Sequence, residues 1–231
     1  MGIIVTAVGW PWAALLIAFF LTSTALTRWR AKEKLEFTMS TLPQSTERTA
    51  TQVFANGGLF MLFSIAWART GNFWWALAGT GALAAASADT WSTEIGTLFG
   101  AAPRSILTWR PIARGMSGGI SVPGTVAGLA GALCIAALAT FAMPGFGWRM
   151  TVAATLGGFV GCLGDSALGA GWQSRRWCDR CREWTERRVH PCGYRTAHRR
   201  GFAWMSNDLV NALATLIGAI AALAVGELLN P

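Results

Sequence analysis

Charge is scarce in this chain of 231 residues. Only 13% of them are Asp, Glu, Lys or Arg, where a soluble domain carries about a quarter, so a water-soluble globule is a poor reading. Strict polar–apolar alternation is missing as well, which speaks against a membrane β-barrel. No basic n-region precedes the apolar run Gly2–Leu26, so a cleaved signal peptide is not expected. Neither the P-loop nor the GxGxxG pattern occurs. No inverted repeat is evident, which weighs against a transporter of that design.

What the chain does have is apolar length. Hydrophobic residues make up 53%, and six stretches approach the roughly 20 residues that cross a hydrocarbon core. They cover about 5–27, 53–68, 72–88, 119–142, 150–173 and 204–226. The second is short, and its helix is expected to begin earlier, near Arg48. The fold class expected is all-α: one polytopic membrane bundle over residues 1–231, because helices satisfy their own backbone in lipid.

Basic residues orient the bundle. Five lie in 28–52 (Arg28, Arg30, Lys32, Lys34, Arg48), three in 89–118 (Arg104, Arg110, Arg114) and nine in 174–203. Only Arg69 and Arg149 lie in the other two loops. The positive-inside rule makes the rich side cytoplasmic and puts both termini outside, in an inner or plasma membrane. The net charge of +8 is mostly this asymmetry, so no nucleic-acid partner is implied. Tryptophans cluster near both ends of the spans, as aromatic belts do.

With this topology the unusual polar groups converge on the cytoplasmic side. "ALAAASADTWSTEIG" (Ala82–Gly96) ends the third span with Asp89 and Glu94. "GCLGDSALGAG" (Gly161–Gly171) puts Asp165 in the inner half of the fifth, and "MSNDLVNA" (Met205–Ala212) opens the sixth with Asn207, Asp208 and Asn211. Asn56 begins the second span. Acids beside or within a span are costly and mark candidate sites; hard oxygen ligands of this kind suit Mg²⁺. Asp89 and Glu94 are five residues apart, about 140° around a straight helix, and cannot meet one point without a break.

"RGMSGGISVPG" (Arg114–Gly124) is a glycine- and serine-rich loop entering the fourth span. Ser117, Gly118, Gly119 and Ser121 offer backbone N–H groups to an anion, or form a flexible turn. Arg104 and Arg114 are candidate phosphate partners, or simple positive-inside anchors. Gly124/Gly128 and Gly157/Gly161 read as helix-packing pairs.

"CDRCREWTERRVHPCG" (Cys178–Gly193) spaces Cys178, Cys181, His190 and Cys192 as a closed Cys3His set for structural Zn²⁺, with His198 the alternative fourth ligand. A polar, arginine-rich insert at 174–203 has no apolar core of its own, and the metal would replace one. Disulfides are not expected on the reducing side.

"ASADTWSTEIG", "GMSGGISVPGTVAGL", "GCLGDSALGA" and "NDLVNAL", in this order, resemble the integral-membrane family that includes plant phytyl-phosphate kinase and the animal transmembrane protein nineteen. "LTRWRAKEK" followed by "TQVFANGG" is similar to its N-terminal region, and the Cys/His insert looks like that of bacterial members. The resemblance implies an isoprenyl-phosphate kinase that uses ATP or CTP and Mg²⁺ to turn an isoprenyl monophosphate, phytyl or polyprenyl, into the diphosphate. Asp89, Glu94, Asp165 and Asp208 would hold the metal and phosphates. A transporter using the same acids, or a membrane scaffold, remains the alternative.

Overall fold

The computed structural model describes residues 1–38, 49–99 and 102–229. Eight helices occur among them: α1 (Gly2–Val8), α2 (Trp10–Arg28), α3 (Ala31–Thr38), α4 (Ala50–Thr70), α5 (Phe73–Phe99), α6 (Val122–Ala142), α7 (Trp148–Gly171) and α8 (Asn207–Leu229). Five short strands complete the fold: β1 (Arg104–Ser105), β2 (Gly119–Ile120), β3 (Arg175–Cys178), β4 (Glu183–Thr185) and β5 (Ala197–Arg200). Helices α2, α4, α6, α7 and α8 are long and apolar enough to cross a membrane. The chain is an α-helical membrane bundle with a small β insert.

The third expected span, α5, is not one of these five. It runs 27 residues and is buried without interruption from Ala76 to Ala88, against α2, α4, α6, α7 and α8. Its alanine and glycine surface explains that place. Helices in lipid gain little from the hydrophobic effect and associate through close packing of small residues. A Cβ added at Gly81 would lie 2.5 Å from Ala222 Cβ, and one at Gly158 would lie 2.6 Å from Ala84 Cβ. Helices α7 and α8 approach as tightly: a Cβ at Gly157 would sit 2.5 Å from the Ala222 backbone nitrogen. Large side chains go outward instead, with Phe20, Leu21, Val126, Leu133, Phe141 and Ile220 exposed, as a lipid-facing surface requires.

The expected boundaries shift in three places. The first span is broken: Gly9, at φ 152° and ψ 156°, separates α1 from α2, a conformation reserved for glycine, and Pro11 sits in the first turn of the second piece. The third span continues 11 residues beyond its expected end at 88, to Phe99. Asp89 and Glu94 therefore stand inside a helix rather than at its end. The fourth starts later, at Val122, where Ser121 Oγ accepts the Gly124 N–H at 3.3 Å, an N-cap. Helix α4 starts at Ala50 behind a Thr49/Gln52 capping box, earlier than 53 as expected; Arg48 itself lies outside the described residues.

Candidate functional site

The polar segments meet in one cleft of about 640 Å³ at one end of the bundle. Asp89, Ser92, Thr93 and Glu94 enter it from α5, Asp165 and Ser166 from α7, Asn207, Asp208 and Asn211 from α8, and Gln52 and Asn56 from α4. Arg114 and the loop residues Ser117, Gly118, Gly119 and Ser121 line another wall. Asp89, Asp165, Asn56 and Asn211 share the narrow floor. Asp165 Oδ2 is buried there with no hydrogen-bond partner among the described residues. A buried carboxylate oxygen left without a donor is costly, and a bound cation or a proton would relieve it.

Two expected site residues are placed differently. Arg104 does not reach the cleft. It begins β1, and its Nη1 donates to the Trp109 carbonyl at 2.8 Å, so it fastens the 104–110 turn. Glu94 lines the cleft but is already engaged: its Oε2 meets Lys34 Nζ at 2.5 Å, and its Oε1 accepts from Thr27 Oγ1 at 2.7 Å. Lys34 also donates to the Leu26 carbonyl. Because α5 stays helical, Glu94 diverges from Asp89 and ties α5 to the α2–α3 junction instead of facing Asp165.

The glycine-rich loop is also tighter than a freely flexible anion cradle. Gly118 has φ 86°, and a Cβ there would lie 2.5 Å from the Ala170 backbone, so glycine allows the loop to touch α7. The Ser117 N–H donates to Glu186 Oε1 at 3.1 Å, and the Ser117 carbonyl accepts from Arg175 Nη2 at 2.7 Å. Those two Ser117 groups are used internally.

Both partners come from the insert. Strands β4, β3 and β5 form an antiparallel sheet in that order, with Trp177 and Trp184 in edge contact at 5.2 Å. The insert also places Arg176, Glu186, Arg187 and Arg188 on the cleft wall. Sequence reasoning missed all four. In sequence they are four more polar residues of a charged loop, and the sole signal was their position within the 174–203 insert. Glu186 accepts from Gln173 Nε2 at 2.7 Å besides Ser117. Burial raises its pKa above the ordinary carboxylate value, opposed by the Ser117 hydrogen bonds. Burial lowers the pKa of Arg175, as does repulsion from Arg200, and burial also lowers that of Arg187.

Elsewhere in the insert, ligand atoms of Cys178, Cys181, His190 and Cys192 lie within 4.8 Å of one another. His198 stands apart from this group, on β5. Cys178 Sγ and Cys192 Sγ are 3.7 Å apart. A disulfide would need about 2.05 Å, whereas two thiolates about 2.3 Å from a tetrahedral zinc ion lie about 3.8 Å apart. The Cys192 thiol is lowered to about 6, first by the Tyr194 backbone N–H and then by His190, which favours the thiolate a metal binds. The four residues fit a Zn²⁺ ion.

Comparison with known proteins agrees with this architecture. The model of the family described as "Integral membrane protein DUF92" matches residues 1–219. The chain belongs to this integral-membrane family. The matched stretch contains every residue of the cleft. An uncharacterized membrane protein of Methanocaldococcus jannaschii, MJ0933, is 31% identical over 92% of this chain and 75% of its own. Protein PGR of Arabidopsis thaliana is 31% identical over 74% of this chain and 67% of its own. Protein VTE6, chloroplastic, of the same plant is 26% identical over 60% of this chain, which covers 34% of that relative. No solved structure matches.

Proposed function

We propose that this family member is a membrane phosphotransferase that converts an isoprenyl monophosphate into the diphosphate with a nucleoside triphosphate. The observation that carries the reading is the floor of the cleft. Asp89 and Asp165 stand together at the polar end of apolar helices, with one Asp165 oxygen buried and without a partner among the described residues. A lipid tail would lie along the helices, its phosphate at the cleft, and a soluble nucleotide would enter from the water side. The resemblance to the phytyl-phosphate kinase family, with partial similarity to VTE6, supports the same chemistry.

In this reaction an oxygen of the lipid phosphate forms a new bond to the terminal phosphorus of the nucleotide. The bridging P–O bond breaks, and its electron pair leaves with the nucleoside diphosphate. The attacking oxygen is already anionic, so no strong base is required; alignment and charge neutralisation suffice. Asp89, Asp165 and Asp208 are the residues that would hold Mg²⁺, and Glu94 is left out because Lys34 neutralises it. When bound, Mg²⁺ would offset the negative charge of the transferred group. Asn56, Asn207 and Asn211 orient the ligands, Arg114 pairs with phosphate, and Cys178, Cys181, His190 and Cys192 would hold the Zn²⁺ that keeps the insert in place. The cleft and insert face the cytoplasm on the positive-inside argument, where nucleotide is available.

The test is direct. Purified protein in lipid nanodiscs receives isoprenyl monophosphates of several chain lengths, Mg²⁺ and γ-labelled ATP or CTP. The reading requires labelled lipid diphosphate. Its absence with every donor and acceptor, in protein that retains its fold, refutes it.

A further inference from the structure

We propose that the Cys/His insert is a metal-stapled phosphate clamp, in which the bound ion holds Arg187 over the cleft to grip a phosphate with the Nε–Nη2 edge of its guanidinium. The inference rests on reading the cleft as a phosphate site and assigns it a residue and a control that the acids do not supply.

The Arg187 backbone is pinned from both sides. Its N–H donates to Thr185 Oγ1 at 3.2 Å, and its carbonyl accepts from Thr196 Oγ1 at 2.5 Å. Thr196 is itself held by Arg176, whose Nε and Nη2 donate to its hydroxyl and carbonyl at 2.8 and 2.6 Å, and its N–H donates to the Arg188 carbonyl at 3.0 Å. The side chain is not matched in the same way. Arg187 lines the cleft, yet its Nε and Nη2 are buried without a hydrogen-bond partner among the described residues. No carboxylate lies within ion-pair distance of it there. The adjacent Glu186 has committed its oxygens to Ser117 and Gln173.

A half-buried guanidinium whose covered Nε and Nη2 donors stand idle is a costly arrangement unless a ligand completes it. Nε–H and Nη2–H point the same way, and this edge matches two oxygens of one phosphate. A lysine in that place would offer a point charge without the fork.

The metal enters through the insert's own weakness. Its buried residues are Arg175, Cys178, Thr185, His190 and Thr196, with no large aliphatic side chain among them. Cys178 and Cys181 precede the Glu186–Arg188 segment in the chain, and His190 and Cys192 follow it. An ion held by all four closes the loop that carries Arg187, and a module with so little core depends on such an ion to stay folded.

The experiment titrates inorganic pyrophosphate into full-length protein in nanodiscs with excess Mg²⁺, by calorimetry. Wild type with zinc bound should bind it. Arg187→Gln should weaken binding at least tenfold while keeping its zinc, and a zinc-selective chelator should weaken wild type comparably, with recovery when zinc returns. In turnover assays, a rise in KM for the nucleotide alone, or for the lipid phosphate alone, identifies whose phosphate is gripped. Unchanged pyrophosphate binding in zinc-replete Arg187→Gln overturns the clamp even if kinase activity is found. Pyrophosphate binding that depends on Arg187, without any phosphotransfer, keeps the clamp and sinks the kinase. If Arg187→Gln sheds its zinc, Arg187→Lys decides. Weakened binding with zinc retained supports the fork, whereas wild-type binding, or loss of zinc here too, makes Arg187 a structural residue and overturns it.

Discussion

Glu94 is where residue order and folded geometry point to different roles, and a double-mutant cycle with Lys34 separates them. The side chains of the pair are 10% and 17% exposed, so both charges are largely removed from water. Deleting one partner of a fully buried pair costs about 3–5 kcal/mol, because the other charge stays behind. Here the loss is smaller, since Lys34 keeps the Leu26 carbonyl and a glutamine at 94 can keep the Thr27 hydroxyl. We expect about 2 kcal/mol for Glu94→Gln, read as a fall of about 4–8 °C in melting midpoint for a chain of this length. Lys34→Met should cost a similar amount. The double variant should be more stable than either single one, since no buried charge remains without its counterpart. The assay is thermal unfolding in nanodiscs, with turnover measured across a range of Mg²⁺ concentrations. A Glu94→Gln protein of wild-type stability whose activity is recovered only at high Mg²⁺ would refute this account and restore Glu94 as a metal ligand.

The acids on the floor should respond in the opposite way. Asp89→Asn and Asp165→Asn should each lower turnover about 10²-fold or more with little loss of stability, whereas Glu227→Gln, far along α8, should leave it intact. Cys181→Ser should reduce the zinc content of purified protein from about one ion per chain toward none, while Cys134→Ser, in α6, should not. Gly157→Val should lower stability by about 1–3 kcal/mol through overpacking against Ala222, measured by thermal unfolding. Cysteines introduced in 28–52 and 174–203 should be labelled only from the cytoplasmic side; labelling from outside intact cells would invert the topology.

Apolar length and small-residue patterns made the bundle legible, because both act locally. The pair Gly157 and Gly161 advertised a close contact, and α7 meets α8 there, with a Cβ at Gly161 lying 2.8 Å from the Ala214 carbonyl oxygen. The extent of α5 was not legible. A run of hydroxyls and acids after Ala88 reads as the end of a span, yet the helix continues because Thr93 and Glu94 face a polar cleft and a lysine rather than lipid. Arg104 misled for a related reason. A lone arginine near a glycine loop looks the same in sequence whether it binds a ligand or a turn carbonyl, and only the path of the 104–110 turn decides.

The insert shows the same limit from the other side. Ligand spacing is a local property, so Cys178, Cys181, His190 and Cys192 could be grouped before any fold was known, and they do converge. Where the insert docks is set by contacts 58 to 69 positions apart in the chain, Arg175 to the Ser117 carbonyl and Glu186 to the Ser117 N–H. No spacing rule contains them. Docking is nevertheless what turns an arginine-rich loop into a wall of the cleft. The glycine at 118 seats the loop that receives the insert on α7, since its backbone lies against Ala170 in space that a side chain would fill. The loop, α7 and the insert therefore form one connected support. A change at Gly118 should then disturb Arg187 as well as its own loop, because Ser117 is the point at which both are held.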